Sequence, residues 1–252
     1  VSVDVAEQFG PGGWQFTPAV ADVFGEHVRA SVPHYDLMQQ MIAEIADWLV
    51  PAGGRVADLG SATGVTCCAI EHRHPERDIG FDLYDESPAM LKRAELALRE
   101  LRTGVRVLTH ECRIEKGPLS HVAANLTVAL FTLQFLPDPA DRIRALSLAR
   151  ENAAPGGALI VAEKLRPRDV RWAEIACDAS HDWKAARGVT DSAIRAKARA
   201  LRGVLIPATD AQLSRQITEA GWSLPEPLFR WHQWQMLGAF ADGMAGAFVA
   251  GA

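Results

Sequence analysis

Short apolar runs alternate with longer amphipathic stretches along most of the chain. Pro18 to Ser31 and Pro33 to Val50 have helical periodicity, the second placing Met38, Met41, Ile42, Ile45 and Leu49 on one face. Pro51-Ala52-Gly53-Gly54 interrupts, and Arg55 to Leu59 reads as a buried strand running into Gly60 and Gly64. The alternation continues with helix Val65 to His72, strand Asp78 to Tyr84, helix Pro88 to Arg102, strands Val105 to Thr109 and Leu126 to Phe131, helix Pro139 to Ala153 and strand Ala158 to Ala162. Strands separated by helices of this length predict an α/β fold, a mainly parallel sheet with helices on both faces. In such a sheet the ligand crevice lies at the carboxyl ends of the strands.

Arg166 to Arg202 breaks the rhythm. It is helical in pattern, rich in Arg and Ala and interrupted by Gly188, which predicts an insertion over the crevice. Helix Asp210 to Ala220 follows, with Asp210 as a candidate cap, and Leu228 to Trp231 with Gln233 to Phe240 would complete seven strands as an antiparallel hairpin-like edge. The predicted organisation is a helical lid over residues 1–50, a sheet domain over 51–240 carrying the 166–202 insertion, and a Gly/Ala-rich tail over 241–252.

The 252 residues, 48% of them apolar, suffice for one principal core. A formal charge of -5 argues against a dedicated nucleic-acid surface, which needs clustered Lys and Arg. Cys67, Cys68, Cys112 and Cys177 have neither zinc spacing nor a plausible disulfide framework. Val1 to Gly13 lacks a signal-peptide pattern, and no apolar stretch reaches the length of a membrane span. The expectation is a cytoplasmic protein with reduced thiols that binds a small molecule, touches no nucleic acid or membrane directly, and has room for a homodimer.

Three places carry candidate chemistry. Gly60-Ser61-Ala62-Thr63-Gly64 follows Asp58 where the first strand gives way to a helix, and glycines there let the backbone approach a ligand. About twenty residues later Asp85 ends the next strand, where an ionised carboxylate could accept both hydroxyls of a ribose. Asp82 and Glu86 compete for that role, and Ser87-Pro88 also reads as a helix start with Ser87 as cap. Thr132 and Gln134, at the end of the Leu126 strand, face the predicted crevice. His181-Asp182-Trp183 offers a candidate general base, although His and Asp are also common on a surface helix.

The blocks Ser31-Val32-Pro33-His34-Tyr35, Asp85-Glu86-Ser87-Pro88-Ala89-Met90, Phe131-Thr132-Leu133-Gln134-Phe135-Leu136, Pro155-Gly156-Gly157-Ala158-Leu159, Glu163-Lys164 and His181-Asp182-Trp183-Lys184 occur in one order over about Phe16 to Phe240. In these the chain resembles class I S-adenosylmethionine-dependent methyltransferases and, more narrowly, the carboxy-S-adenosylmethionine synthase family. The resemblance implies a Rossmann-like methyltransferase fold and S-adenosyl-L-methionine as cofactor, with S-adenosyl-L-homocysteine as product and no metal. It places ligand contacts on Tyr35, Gly60, Ser61, Ala62, Asp85, Glu86, Glu111 and Cys112, with Asp58, Gly64, Leu130 and Thr132 beside them. An aromatic ring at Tyr35 would suit a sulfonium cation.

The family converts S-adenosylmethionine and prephenate into a carboxylated sulfonium cofactor. Leu130 stands where it has Asn, and Lys197-Ala198 where it has Lys-Arg, the Arg holding the extra carboxylate; Ala offers no charge-assisted contact. Glu111-Cys112 for Asp-Ile and Ser61 for Cys are milder departures. The expectation is therefore methyl transfer to a small molecule, with Tyr35, His181 and Asp182 as candidate catalytic residues. Alternatives are carboxylated-cofactor synthesis with Arg195 or Arg199 recruited, cyclisation or cleavage of the cofactor with release of methylthioadenosine, and a non-catalytic sensor.

Overall fold

A parallel strand buried on both faces has no polar side to show, and alternate residues of one run serve two cores. Val56, Val128 and Ile160 join one apolar cluster, while their neighbours Ala57, Ala129 and Val161 join another. A computed structural model describes residues 9–117, 119 and 123–241; the tail expected from Asp242 to Ala252 lies outside the described residues.

The strands are β1 (Arg55–Leu59), β2 (Gly80–Asp85), β3 (Arg106–Glu111), β4 (Ala124–Leu130), β5 (Ala153–Lys164), β6 (Glu226–Trp231) and β7 (Trp234–Phe240), forming one seven-stranded sheet in the order β3-β2-β1-β4-β5-β7-β6. The first five pair in parallel. β7 runs antiparallel between β5 and β6, so of the predicted hairpin only β6 is an edge strand, with β3 the opposite edge.

The helices are α1 (Pro18–Ser31), α2 (Tyr35–Leu49), α3 (Val65–Arg73), α4 (Pro88–Leu101), α5 (Pro139–Glu151), α6 (Val170–Ala185), α7 (Asp191–Ala200) and α8 (Asp210–Glu219). Apolar residues of α2, α3 and α4, among them Met38, Ile42, Ile70 and Leu98, cover one face of the sheet. Leu146 of α5 with Leu213 and Ile217 of α8 covers the other. Each such fully buried side chain stabilises the fold by roughly 1.5–3 kcal/mol before its entropy cost.

Local chemistry moved several predicted boundaries. α2 starts at Tyr35 rather than Pro33 because His34 takes a left-handed φ of 57°. Asp210 is not the cap of α8: Thr209 accepts from the Gln212 N–H and Gln212 reaches back, a reciprocal capping box. Ser87 occupies the cap position of α4 but does not cap it, since its hydroxyl donates to the Phe16 carbonyl at 3.1 Å. β5 runs well past Ala158–Ala162. Its start pairs with β4 through an irregular register around Pro155-Gly156-Gly157, and its end is drawn out by β7, which pairs with Glu163 and Lys164.

α1, α4, α7 and the segment before α1 meet in a third cluster of Trp14, Val20, Ala21, Met90 and Ala200. Backbone bonds from Gly12 to the Arg199 carbonyl and from Trp14 to the Ala200 carbonyl tie the N-terminal segment to α7. The expected lid and the expected insertion are thus stitched to each other.

Candidate functional site

A cavity of about 380 Å³ opens where the loops after β1, β2, β3 and β4 meet α1, α2, α6 and α7. Gly60 and Ser61 both donate to the Tyr84 carbonyl, which pins the first turn to the neighbouring strand. Gly60 has φ +73°, and a β-carbon there would run into the Thr132 side chain. Gly64, at φ +74°, meets Ala94 of α4, where a β-carbon would sit 2.8 Å away; it serves helix packing and is not among the cavity's lining residues.

Asp85 brackets this wall. One carboxylate oxygen accepts from Ala62 N–H at 2.9 Å and the other from Ser87 N–H at 2.8 Å, so one side chain holds both the β1 turn and the start of α4. Each oxygen retains a further acceptor site for a ligand hydroxyl. Burial pushes its carboxyl above the usual range, opposed by those N–H groups. Glu86 lines the cavity beside it and is exposed. Asp82, the competitor, is buried elsewhere, paired with Arg55 at 2.5 Å and with His110 at 3.3 Å.

Deeper in, burial raises the Asp58 carboxyl to about 7, offset in part by the Cys67 thiol, which donates to it at 3.4 Å. Tyr35 is buried against Phe131, ring centroids 6.3 Å apart, and burial with the nearby Asp58 pushes its hydroxyl upward. The Ser61 hydroxyl, buried on the cavity wall, has no hydrogen-bond partner. Buried polar atoms are normally satisfied, so this hydroxyl is open to a partner.

The loop after β4 is held from behind. Glu163 accepts backbone N–H groups of Thr132 at 3.1 Å, Leu133 at 2.8 Å and Gln134 at 3.1 Å, fixing a 3-10 turn at Leu133–Phe135. Burial nevertheless lifts the Glu163 carboxyl to about 8. The Thr132 hydroxyl donates to the carbonyls of Leu59 and Leu130, and Gln134 braces Lys164 N–H, so both predicted contacts also have structural partners.

The remaining wall is basic. Lys164, Lys184 and Lys197 line it with His27, His181, Cys177 and Trp234. Lys197 Nζ donates to His27 Nε2 at 2.6 Å and to Ser31 Oγ at 2.7 Å, joining α7 to α1. Burial and the neighbouring Lys197 hold His27 down at about 3, so it stays neutral. Cys177 and His181, one helical turn apart, lie 3.6 Å from each other.

Of the residues singled out from sequence, Tyr35, Asp58, Gly60, Ser61, Ala62, Asp85, Glu86, Cys112, Leu130, Thr132 and His181 converge on this cavity. Gly64, Glu111 and Asp182 do not line it; Glu111 and Asp182 face solvent. Ala198 lines the wall, whereas Arg199 lines a separate surface hollow with Phe9 and Pro11, and Arg195 pairs with Asp191 at 2.7 Å. Sequence reasoning missed His27, Trp14, Trp234 and Glu115, the last a buried carboxylate at 2.6 Å from Arg113. A carboxylate four residues past Glu111 was the available signal for Glu115; the others are joined only by the fold. Among the described residues no group of three or more His, Cys, Asp or Glu could hold a metal ion, and no helix is long and apolar enough to cross a membrane.

Comparison with known proteins gives the site its context. No protein-family model matches the chain. It is 36% identical over 220 residues to a carboxy-S-adenosyl-L-methionine synthase from Shewanella amazonensis, covering 87% of this chain and 89% of that one. A synthase of the same name from Geobacter is 31% identical over 228 residues, covering 90% and 92%. Among solved structures, a putative O-methyltransferase from Nostoc punctiforme superposes with TM-score 0.63 at 16% identity, covering 88% of this chain and 59% of its own. Human N-acetylserotonin methyltransferase in complex with SAM gives 0.60 at 14% identity, covering 89% and 56%. The chain spans under two thirds of those two structures, and at such identities they show the shared methyltransferase fold alone.

Proposed function

The chain belongs to the carboxy-S-adenosyl-L-methionine synthase family, and on that premise we propose that it is an S-adenosylmethionine-dependent enzyme that methylates a small molecule instead of making the carboxylated cofactor. The observation that carries this reading is the wall at Ala198. The resemblance puts the family's carboxylate-holding Arg at this position, where the chain offers only a methyl group, and neither candidate substitute reaches the cavity: Arg199 lines another hollow and Arg195 is paired with Asp191. Among the described residues the one arginine lining the cavity is Arg113, which faces Glu115. Leu130, also on the wall, removes the second polar contact.

The nucleoside end fits the cofactor. Asp85 has acceptor capacity left for the ribose, Gly60 permits close backbone approach, and the orphan Ser61 hydroxyl gains a partner. Asp58 and the face of Tyr35 surround the position suited to positive charge. When bound, S-adenosylmethionine supplies an electrophilic methyl carbon on its sulfonium. The protein's part is to align the acceptor in line with that carbon and keep water out, which α1, α6 and α7 do from above. His181, which lines the cavity, takes a proton from the acceptor in this reading.

A second reading, carboxylated-cofactor synthesis, is favoured by 36% identity over 87% of the chain. Incubating the purified protein with S-adenosylmethionine and prephenate, then weighing the nucleoside products, separates the two. Methyl transfer requires that no carboxylated sulfonium appears and that S-adenosylhomocysteine accumulates when acceptors from a cell extract are added. A carboxylated product would overturn it, and methylthioadenosine released without acceptor would point to cleavage of the cofactor itself.

A further inference from the structure

Lys164 closes β5 and Lys184 lies near the end of α6, twenty residues apart in sequence yet both on the cavity wall. The charge of Lys164 opposes that of Lys184. Among the described residues neither ammonium has a carboxylate within ion-pair distance, although the chain carries 31 Asp and Glu against 26 Lys and Arg. Lys164 Nζ sits 5.8 Å from the ring of Trp234, its partner across β5 and β7. Trp234 is 5% exposed, and its indole N–H, a donor only, has no partner either. Two partly buried cations and a buried orphan donor share one wall, with no carboxylate beside them among the described residues, and that leaves a deficit of negative charge there. Burial pulls both lysines below the usual range, Lys184 to about 8.

We propose that Lys164, Lys184 and the indole N–H of Trp234 form a subsite for the carboxylate of the methyl acceptor, an organic acid with an apolar body. This rests on the methyl-transfer reading above and names its substrate class. The apolar body is argued from Leu130, Phe131 and Leu205, which line the same space. Two ammonium groups and one neutral donor suit an anion, and the apolar lining beside them favours a carboxylate on an apolar body over a fully polar phosphate. The other titratable groups facing these lysines are Cys177 and His181 on α6, His27 on α1 and Lys197 on α7. Anion binding holds both lysines charged and is therefore favoured below the range in which Lys184 loses its proton.

The test uses the full chain saturated with S-adenosylhomocysteine, and compares benzoate, its neutral isostere benzamide and inorganic phosphate by calorimetry. Benzoate is expected to bind about tenfold or more tightly than benzamide at pH 7, as one charge-assisted contact warrants. K164M and K184M should each remove most of that preference while leaving S-adenosylhomocysteine affinity unchanged, and exposed Lys92→Met should not alter it. In the unmodified protein the preference should fade between pH 7 and pH 10, which needs no variant to fold. Equal binding of benzoate and benzamide, a preference that survives both variants or persists undiminished at pH 10, or selective binding of phosphate would overturn the subsite. These outcomes leave methyl transfer standing, whereas a carboxylated nucleoside formed from prephenate would sink methyl transfer whatever benzoate does.

Discussion

The two ends of the cavity are built from different material and carry opposite charge. At one end Asp58 lies within β1, Asp85 ends β2 and Glu86 and Glu115 sit in the loops after β2 and β3. At the other Lys164, Lys184, Lys197 and the two histidines come from α1, α6, α7 and the last residue of β5. The first end is tied to the sheet through its backbone N–H groups: Gly60 and Ser61 to the Tyr84 carbonyl, Ala62 to the Asp85 carboxylate. The second is held by side chains such as Lys197 with His27 and Ser31. A scaffold so divided can keep its grip on one end while the other, where Ala198 lies, is free to change.

The largest effect should come from breaking the nucleoside end. Asp85→Ala removes an acceptor of two backbone N–H groups and of the ribose, a loss of roughly 3–4 kcal/mol or a few hundredfold in S-adenosylhomocysteine affinity. Calorimetry beside a melting curve checks it; a folded variant with unchanged affinity would remove the ribose assignment. Next comes the acceptor end: Leu130→Asn with Ala198→Arg should restore the missing contacts and raise the preference for carboxylated over ordinary cofactor by about tenfold to a hundredfold. Competition between the two nucleosides reads it, and no shift in preference would show that these positions do not set the choice.

A smaller effect follows from pH. Asp58 in the folded protein titrates at about 7 because burial disfavours its charge. A raised carboxyl contributes stability fully below its unfolded range, near 4, and loses it as pH rises through about 7. A cationic ligand prefers the ionised form, so affinity for S-adenosylmethionine should rise by up to about tenfold per pH unit between pH 5.5 and 7, then level off. Calorimetry across that range checks it, and Asp58→Asn should flatten the profile. The smallest effect is read as stability: Gly60→Ala forces an Ala into φ +73° against Thr132, costing roughly 1–3 kcal/mol and lowering the melting temperature by about 3–10 °C.

The same contrast governs how much was legible in the sequence. The strands β1, β2 and β4 stand out as apolar runs, and a carboxyl-terminal acid such as Asp85 is readable because strand end and ligand crevice coincide in parallel sheets. The resemblance puts Glu111 at the site, yet its side chain faces solvent while Glu115, further along the loop, lines the cavity. His181 and Asp182 are adjacent in sequence, but neighbours on a helix point about 100° apart, and only His181 lines the wall. Lys164 and Lys184 each read as an ordinary residue of its motif. Their shared wall exists only because β7 draws out the end of β5 and α6 folds back over it.

The central claim, a nucleoside grip retained beside a wall that holds no extra carboxylate at Ala198, is tested most directly by the ligand that copurifies with the protein. Native mass spectrometry of the freshly purified chain, followed by release and weighing of the nucleoside, should find S-adenosylmethionine or S-adenosylhomocysteine. A carboxylated S-adenosylmethionine as the bound species would contradict it.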